Sequence, residues 1–223
     1  MDLLATLTAA RARATSTPDD PAAWAALADV LQVADRGALD ADAGFQLGVD
    51  RWDALTRVAT LAPTVDHLRA QVTCIAALAT RARARGFGDM AVAMARDQLA
   101  AARVWLRLDP TPDAATHLVQ ASQVVAEDAL TRGDTPDAAL ALVAMLDGLH
   151  VLAQRTGKPE YALQIAGVHL HLAGVAGDPE AERACLLAAR DVLDQLDAAG
   201  LSHPVQTQVR DQVEARLLAV DGS

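Results

Sequence analysis

The nine prolines of this 223-residue chain, at positions 18, 21, 63, 110, 112, 136, 159, 179 and 204, all fall between apolar-periodic stretches and never inside one. Proline lacks an amide donor and clashes with the preceding turn of a helix, so a helical chain tolerates it at first turns and in connections. A chain punctuated in this way reads as an array of helices. Its composition agrees: 51 Ala and 31 Leu stand against six aromatic residues, which favours helices over strands. The expected fold class is therefore all-α.

Several junctions carry complete start signals. Asp20-Pro21, Thr111-Pro112-Asp113, Thr135-Pro136-Asp137 and Asp178-Pro179-Glu180 each place a capping side chain before proline, most with an acid in the first turn. Gly86, Gly88, Gly133, Gly157, Gly177 and Gly200 close segments, and Arg85, Arg132 and Arg155 sit in last turns, where a cation complements the helix dipole. These signals predict helices over 2–15, 20–36, 40–62, 64–85, 89–108, 112–132, 136–156, 159–176, 179–199 and 204–220. Connections this short turn each helix back antiparallel beside its predecessor, giving a solenoid or a bundle.

Internal repetition favours the solenoid. Residues 111–119 read TPDAATHLV and residues 135–143 read TPDAALALV, seven identities in nine positions at a spacing of 24. The pairs Gly88-Asp89, Gly133-Asp134 and Gly177-Asp178 recur at 45 and 44 residues, the length of one helix pair.

Trp24, Leu27, Ala28 and Leu31, followed by Ala41, Phe45 and Gly48, keep a first-helix and second-helix spacing that resembles the tetratricopeptide repeat family. Ala138 and Leu142 after Gly133-Asp134, and Leu186 and Ala189 after Gly177-Asp178, continue the likeness. Asp97 departs from it by standing where an apolar residue is expected. The resemblance spans residues 20–199, with pairs of about 44 residues rather than the standard 34, as in long-helix variants of the family. It implies a right-handed α-solenoid of antiparallel helix pairs in a single domain, 1–223. An N-terminal helix (1–19) precedes four pairs (20–199), and a capping helix (200–223) presents a wet face of Gln206, Gln208, Arg210, Asp211 and Glu214. The 20–36, 64–85, 112–132 and 159–176 helices would then be the inner ones.

The family uses its concave groove to hold segments of partner proteins, so the resemblance implies a non-catalytic protein-interaction module, an adaptor or scaffold. Carried over by position, the groove residues are Asp29, Gln32, Arg85, Gln120, Gln123, Glu127, Gln164 and His171, and Gly167 and Gly174 would admit a partner backbone. The family's grip on a C-terminal carboxylate uses Lys and Asn; this chain has no Asn and one Lys, Lys158.

The net charge of −10 disfavours nucleic acid and anionic membranes as partners. The start Met1-Asp2-Leu3-Leu4 lacks a signal-peptide pattern, and no stretch of about 18 uninterrupted apolar residues is present. A cytoplasmic protein is expected. The charge is uneven: residues 57–107 hold eight Arg against three Asp, whereas residues 1–56 sum to −5 and 108–223 to −10. Arg96, Arg103 and Arg107 share one face of a helix, and Arg81, Arg83 and Arg85 crowd the end of the preceding one. Together they form a candidate basic patch for an acidic partner segment.

Catalytic, metal and cofactor sites are not expected. Cys74 and Cys185 lack a CxxC pattern and read as small buried residues. His169 and His171 stand about 200° apart around a helix and cannot share a metal. Glu127-Asp128 and Asp194-Asp197 read as solvated helix faces, and no phosphate-cradling loop or nucleophile elbow occurs. Two rival readings remain. One is a compact helical enzyme or small-molecule sensor with Glu127, Asp128, His169 or His171 in a pocket. The other is a homodimer anchored by Trp52 or Trp105.

Overall fold

The computed structural model describes residues 2–38, 40–201 and 203–222; Met1, Leu39, Ser202 and Ser223 lie outside the described residues. The described residues form ten helices and no strand: α1 (Leu3–Ser16), α2 (Pro21–Gly37), α3 (Ala41–Leu61), α4 (Val65–Ala84), α5 (Gly88–Leu108), α6 (Pro112–Arg132), α7 (Thr135–Thr156), α8 (Pro159–Val175), α9 (Pro179–Ala198) and α10 (Pro204–Asp221). Every end lies within one residue of its expected position.

Local chemistry accounts for these ends. The Asp20 carboxylate accepts from the Ala22 amide at 2.9 Å, and that of Asp178 accepts from the Ala181 amide at 2.8 Å. Each such cap contributes about 1 kcal/mol. Asp134, rather than Thr135, caps α7, and the helix starts one residue early with Pro136 still in its first turn. Gly86, Gly133, Gly157 and Gly200 take positive φ, the conformation that stops a helix at least cost in glycine. Gly88 instead opens α5, because the reversal has already been made at Gly86.

The helices fall into two compact units, residues 1–109 and 110–223. In the first, each of α2 to α5 packs on its predecessor, and the core gathers Leu27, Leu31, Phe45, Ile75, Leu78 and Met94. Gly48, a position that carries the repeat resemblance, has a structural reason: a Cβ there would fall 2.7 Å from Leu78 Cδ2. Arg81 of α4 donates to both Asp35 carboxylate oxygens on α2, at 3.0 and 3.2 Å, and lies 5.7 Å over the Phe45 ring of α3. One guanidinium thus joins three helices.

In the second unit each of α7 to α10 packs on its predecessor, and α10 also meets α8. The apolar helix α7, with a mean hydropathy of 1.4 over an 18-residue stretch, is the one described helix long and apolar enough to cross a membrane. It packs against both α6 and α8 and buries Ala138, Ala141, Leu142, Leu146, Leu149 and Leu152. The wet face expected on α10 is corrected at Gln206, which is buried and donates to Asp197. Arg210 closes at the surface on Asp194 and Asp197, each at 2.7 Å. Two carboxylates on α9 thus hold polar groups of α10.

Gly148 tests how tightly α6 and α7 are held. A Cβ there would sit 2.8 Å from Val119 Cγ2 and 3.0 Å from the Ala115 carbonyl oxygen, and backbone cannot yield as a side-chain tip can. Gly148→Val should lower unfolding stability by about 1–3 kcal/mol, read from denaturant midpoints. An unchanged midpoint would mean that the helices are free to part.

Candidate partner-binding cleft

On α6, Val119, Gln123, Ala126, Glu127 and Leu130 recur at helical spacing and share one face. Leu142 and Met145 of α7 and Gln164, Gly167, Val168 and His171 of α8 complete a cleft of about 510 Å³ within the second unit. The Gln123 amide donates to Glu127 Oε1 at 2.9 Å, an (i, i+4) contact along α6. Leu130 remains 40% exposed at the end of the cleft. Beyond it, Leu130 and His171 also line a second hollow of about 480 Å³ with Gly174 and Arg216. The Arg216 guanidinium there is held by Glu182 and donates to the Leu170 carbonyl at 3.2 Å.

Gly167 lies on α8 with no heavy atom within 4 Å of where a Cβ would stand. Gly48 and Gly148, by contrast, are filled to contact by neighbouring helices.

Four of the eight expected groove residues, Gln123, Glu127, Gln164 and His171, line this one cleft. Gln120 is exposed on α6, about one turn before Gln123 and two before Glu127. Asp29, exposed, and Gln32, half-buried, lie on α2, and Arg85 closes α4, all in the first unit. Arg85 pairs with Asp42 at 3.2 Å and stacks 4.8 Å from the Phe45 ring. Sequence reading passed over the apolar lining, Val119, Ala126, Leu130, Leu142, Met145 and Val168. The 119, 123, 126, 130 spacing on α6 was the signal that could have found part of it.

Of the candidate basic patch, Arg81 and Arg85 are thus committed to Asp35, Asp42 and Phe45. Arg83 is exposed at the end of α4; Arg96 and Arg103 are half-buried on α5, and Arg107 is exposed. A hollow of about 450 Å³ in the same unit is lined by Trp52, Thr56, Gln71 and Asp97, among others. Asp97 is exposed toward that space, which is why a polar residue is tolerated at this position; partial burial raises its carboxyl above the usual range. Trp105 is corrected as a dimer anchor: it is fully buried, with the Arg69 guanidinium 5.4 Å over its ring. Trp52 is half-buried.

The groups of the enzyme reading disperse. Glu127 and His171 share the cleft, but Asp128 pairs with Arg132 at 2.9 Å, and His169 is half-buried on α8 outside the cleft lining. Burial pushes both thiols, Cys74 and Cys185, up, which leaves less reactive thiolate. Among the described residues no group of three or more His, Cys, Asp or Glu is placed to hold a metal ion.

No family model matches the chain, and no curated protein matches it. Among solved structures, the S. pombe nuclear import adaptor Nro1 is similar at 13% identity over 88% of this chain and 81% of that one, with a TM-score of 0.45. A second structure, described as the hypoxic regulator of sterol synthesis Nro1, a nuclear import adaptor, is similar at 14% identity over 88% and 77%, also with a TM-score of 0.45. At that identity and score the likeness transfers neither partner nor function.

Burial holds the imidazoles of His117 and His169 below the ordinary histidine range, the first opposed by Asp113 and the second reinforced by His150. The folded unit therefore favours their neutral forms. The stability that these residues support is complete above the unfolded value of about 6.5 and is lost as pH falls below it. The melting temperature should fall between about pH 7.5 and 5.5, and His117→Gln with His169→Gln should flatten that fall. An equally steep profile in the double variant would assign the pH dependence to other groups.

Proposed function

We propose that this chain is a non-catalytic, tetratricopeptide-like interaction module, and that residues 110–223 hold a segment of a partner protein in the α6–α7–α8 cleft. The observation that carries this reading is Gly167. A glycine inside a helix costs roughly 0.5–1 kcal/mol relative to alanine, and helices usually recover that by close packing, as Gly48 and Gly148 do. Gly167 recovers nothing within the chain, since the space over it is open. An incoming backbone or side chain would use that space.

The lining suits such a guest. Leu130, Met145 and Val168 offer apolar contact, while Gln123, Glu127, Gln164 and His171 offer hydrogen-bonding groups around it. An apolar centre with a polar surround is the usual anatomy of a protein interface. The repeat resemblance supports the same reading, because the expected inner helices 112–132 and 159–176 are the two that flank this cleft.

Gly167→Leu separates binding from folding. It should leave the fold intact and raise stability by up to about 1 kcal/mol, while filling the cleft. A photo-crosslinker placed at Gln123 in cells should capture one protein that a crosslinker at exposed Asp191 on α9 does not, and Gly167→Leu should abolish the capture. Capture that ignores the Leu substitution, or that is equal from both positions, would refute the cleft as the docking site.

A further inference from the structure

We propose that the segment taken by this cleft is cationic, carrying Arg or Lys beside an apolar side chain, with the Glu127 carboxylate as its charge contact. This rests on the docking reading above and adds the chemistry of the guest.

The two units differ sharply in charge. Residues 1–109 hold 13 Asp, no Glu and 12 Arg, for a net −1; residues 110–223 hold 16 acids against seven cations, for a net −9. Most cations of the acidic unit are already used. Arg132 closes on Asp128, Asp134 and Asp137; Arg183 closes on Asp221; Arg210 closes on Asp194 and Asp197; Arg216 closes on Glu182. The excess of carboxylates is left to the surface and the cleft.

Among the described lining residues of the cleft the one acid is Glu127, neither Arg nor Lys is present, and His171 is the one imidazole. Its hydrogen bond is to the neutral amide of Gln123, which orients the carboxylate without cancelling its charge. The nearest cation of the adjoining hollow, Arg216, is neutralised by Glu182. A guest carboxylate would meet the like charge of Glu127 with no Arg or Lys among the described lining residues to receive it. A guest guanidinium or ammonium would meet an oriented carboxylate, and its neighbouring apolar side chain would meet exposed Leu130 and half-buried Met145. Complementary charge of this kind selects partners even where its net affinity is small.

The test is panning of a random-peptide display library on the full chain, with counter-selection on the Gly167→Leu variant. Clones that bind the parent and not Gly167→Leu should be enriched in Arg or Lys beside Leu, Met or Phe. Synthetic versions should bind about tenfold more weakly to Glu127→Gln, and weaken with added salt, while Asp191→Asn, which removes the same charge outside the cleft, should leave binding unchanged. Enrichment of neutral or acidic clones sensitive to Gly167→Leu would overturn the cationic assignment and leave the docking reading standing. An equal effect of Glu127→Gln and Asp191→Asn would overturn the role of Glu127. Absence of any clone sensitive to Gly167→Leu would overturn both readings.

Discussion

Close approach of helices through residues with little or no side chain is the constraint on which the rest of this structure depends. α6 and α7 pack on each other, their buried residues include many alanines, and the Cβ position of Gly148 on α7 falls against Ala115, Leu118 and Val119 of α6. Where only a Cβ or a hydrogen separates two backbones, helix position is set by main-chain contact and dispersion over many small groups. The space left over is then decided by the residues that are not small, and in residues 110–223 those at the mouth, Leu130, Met145 and His171, shape the cleft.

Arginine supplies the polar counterpart. With a single lysine in the chain, nearly every internal cationic contact is made by a planar guanidinium, which can serve two acceptors and stack at once. Arg81 does both, between Asp35 and Phe45, and Arg216 serves two acceptors, Glu182 and the Leu170 carbonyl. These contacts are half-exposed, so their value lies in fixing how helices meet more than in net stability. They also redistribute charge: an arginine that closes on a carboxylate of its own unit no longer advertises itself to a partner. A surface charge count made from sequence therefore overstates the basic character of α4.

Helix ends were legible because they depend on neighbours in sequence. Proline, a capping Asp or Thr and a left-handed glycine act within a few residues, and tertiary contacts had no reason to move them. The choice of Asp134 over Thr135 as cap is the same local competition resolved toward the stronger acceptor. The candidate site was legible only in half. Gln123, Glu127, Gln164 and His171 could be placed because helical periodicity assigns residues to faces. The apolar lining went unnoticed because Val119, Ala126 and Val168 look like any other core positions, and their exposure to a hollow depends on what fails to pack opposite them. Trp105 shows the converse. Its size suggested an anchor, but its complete burial follows from the helices that surround it.

The amino-acid sequence by itself determined that the described residues form a succession of ten helices, where each begins and ends, and which faces are apolar, since these follow from backbone sterics, capping and periodicity. Tertiary structure alone decided which glycines inside helices are pressed against a neighbour, as Gly48 and Gly148 are, and that Gly167 stands over open space. It also decided which arginines are neutralised internally, and that Glu127 lines a cleft with no Arg or Lys among its described lining residues. Those properties depend on distances between residues far apart in the chain, and no local pattern encodes an empty volume.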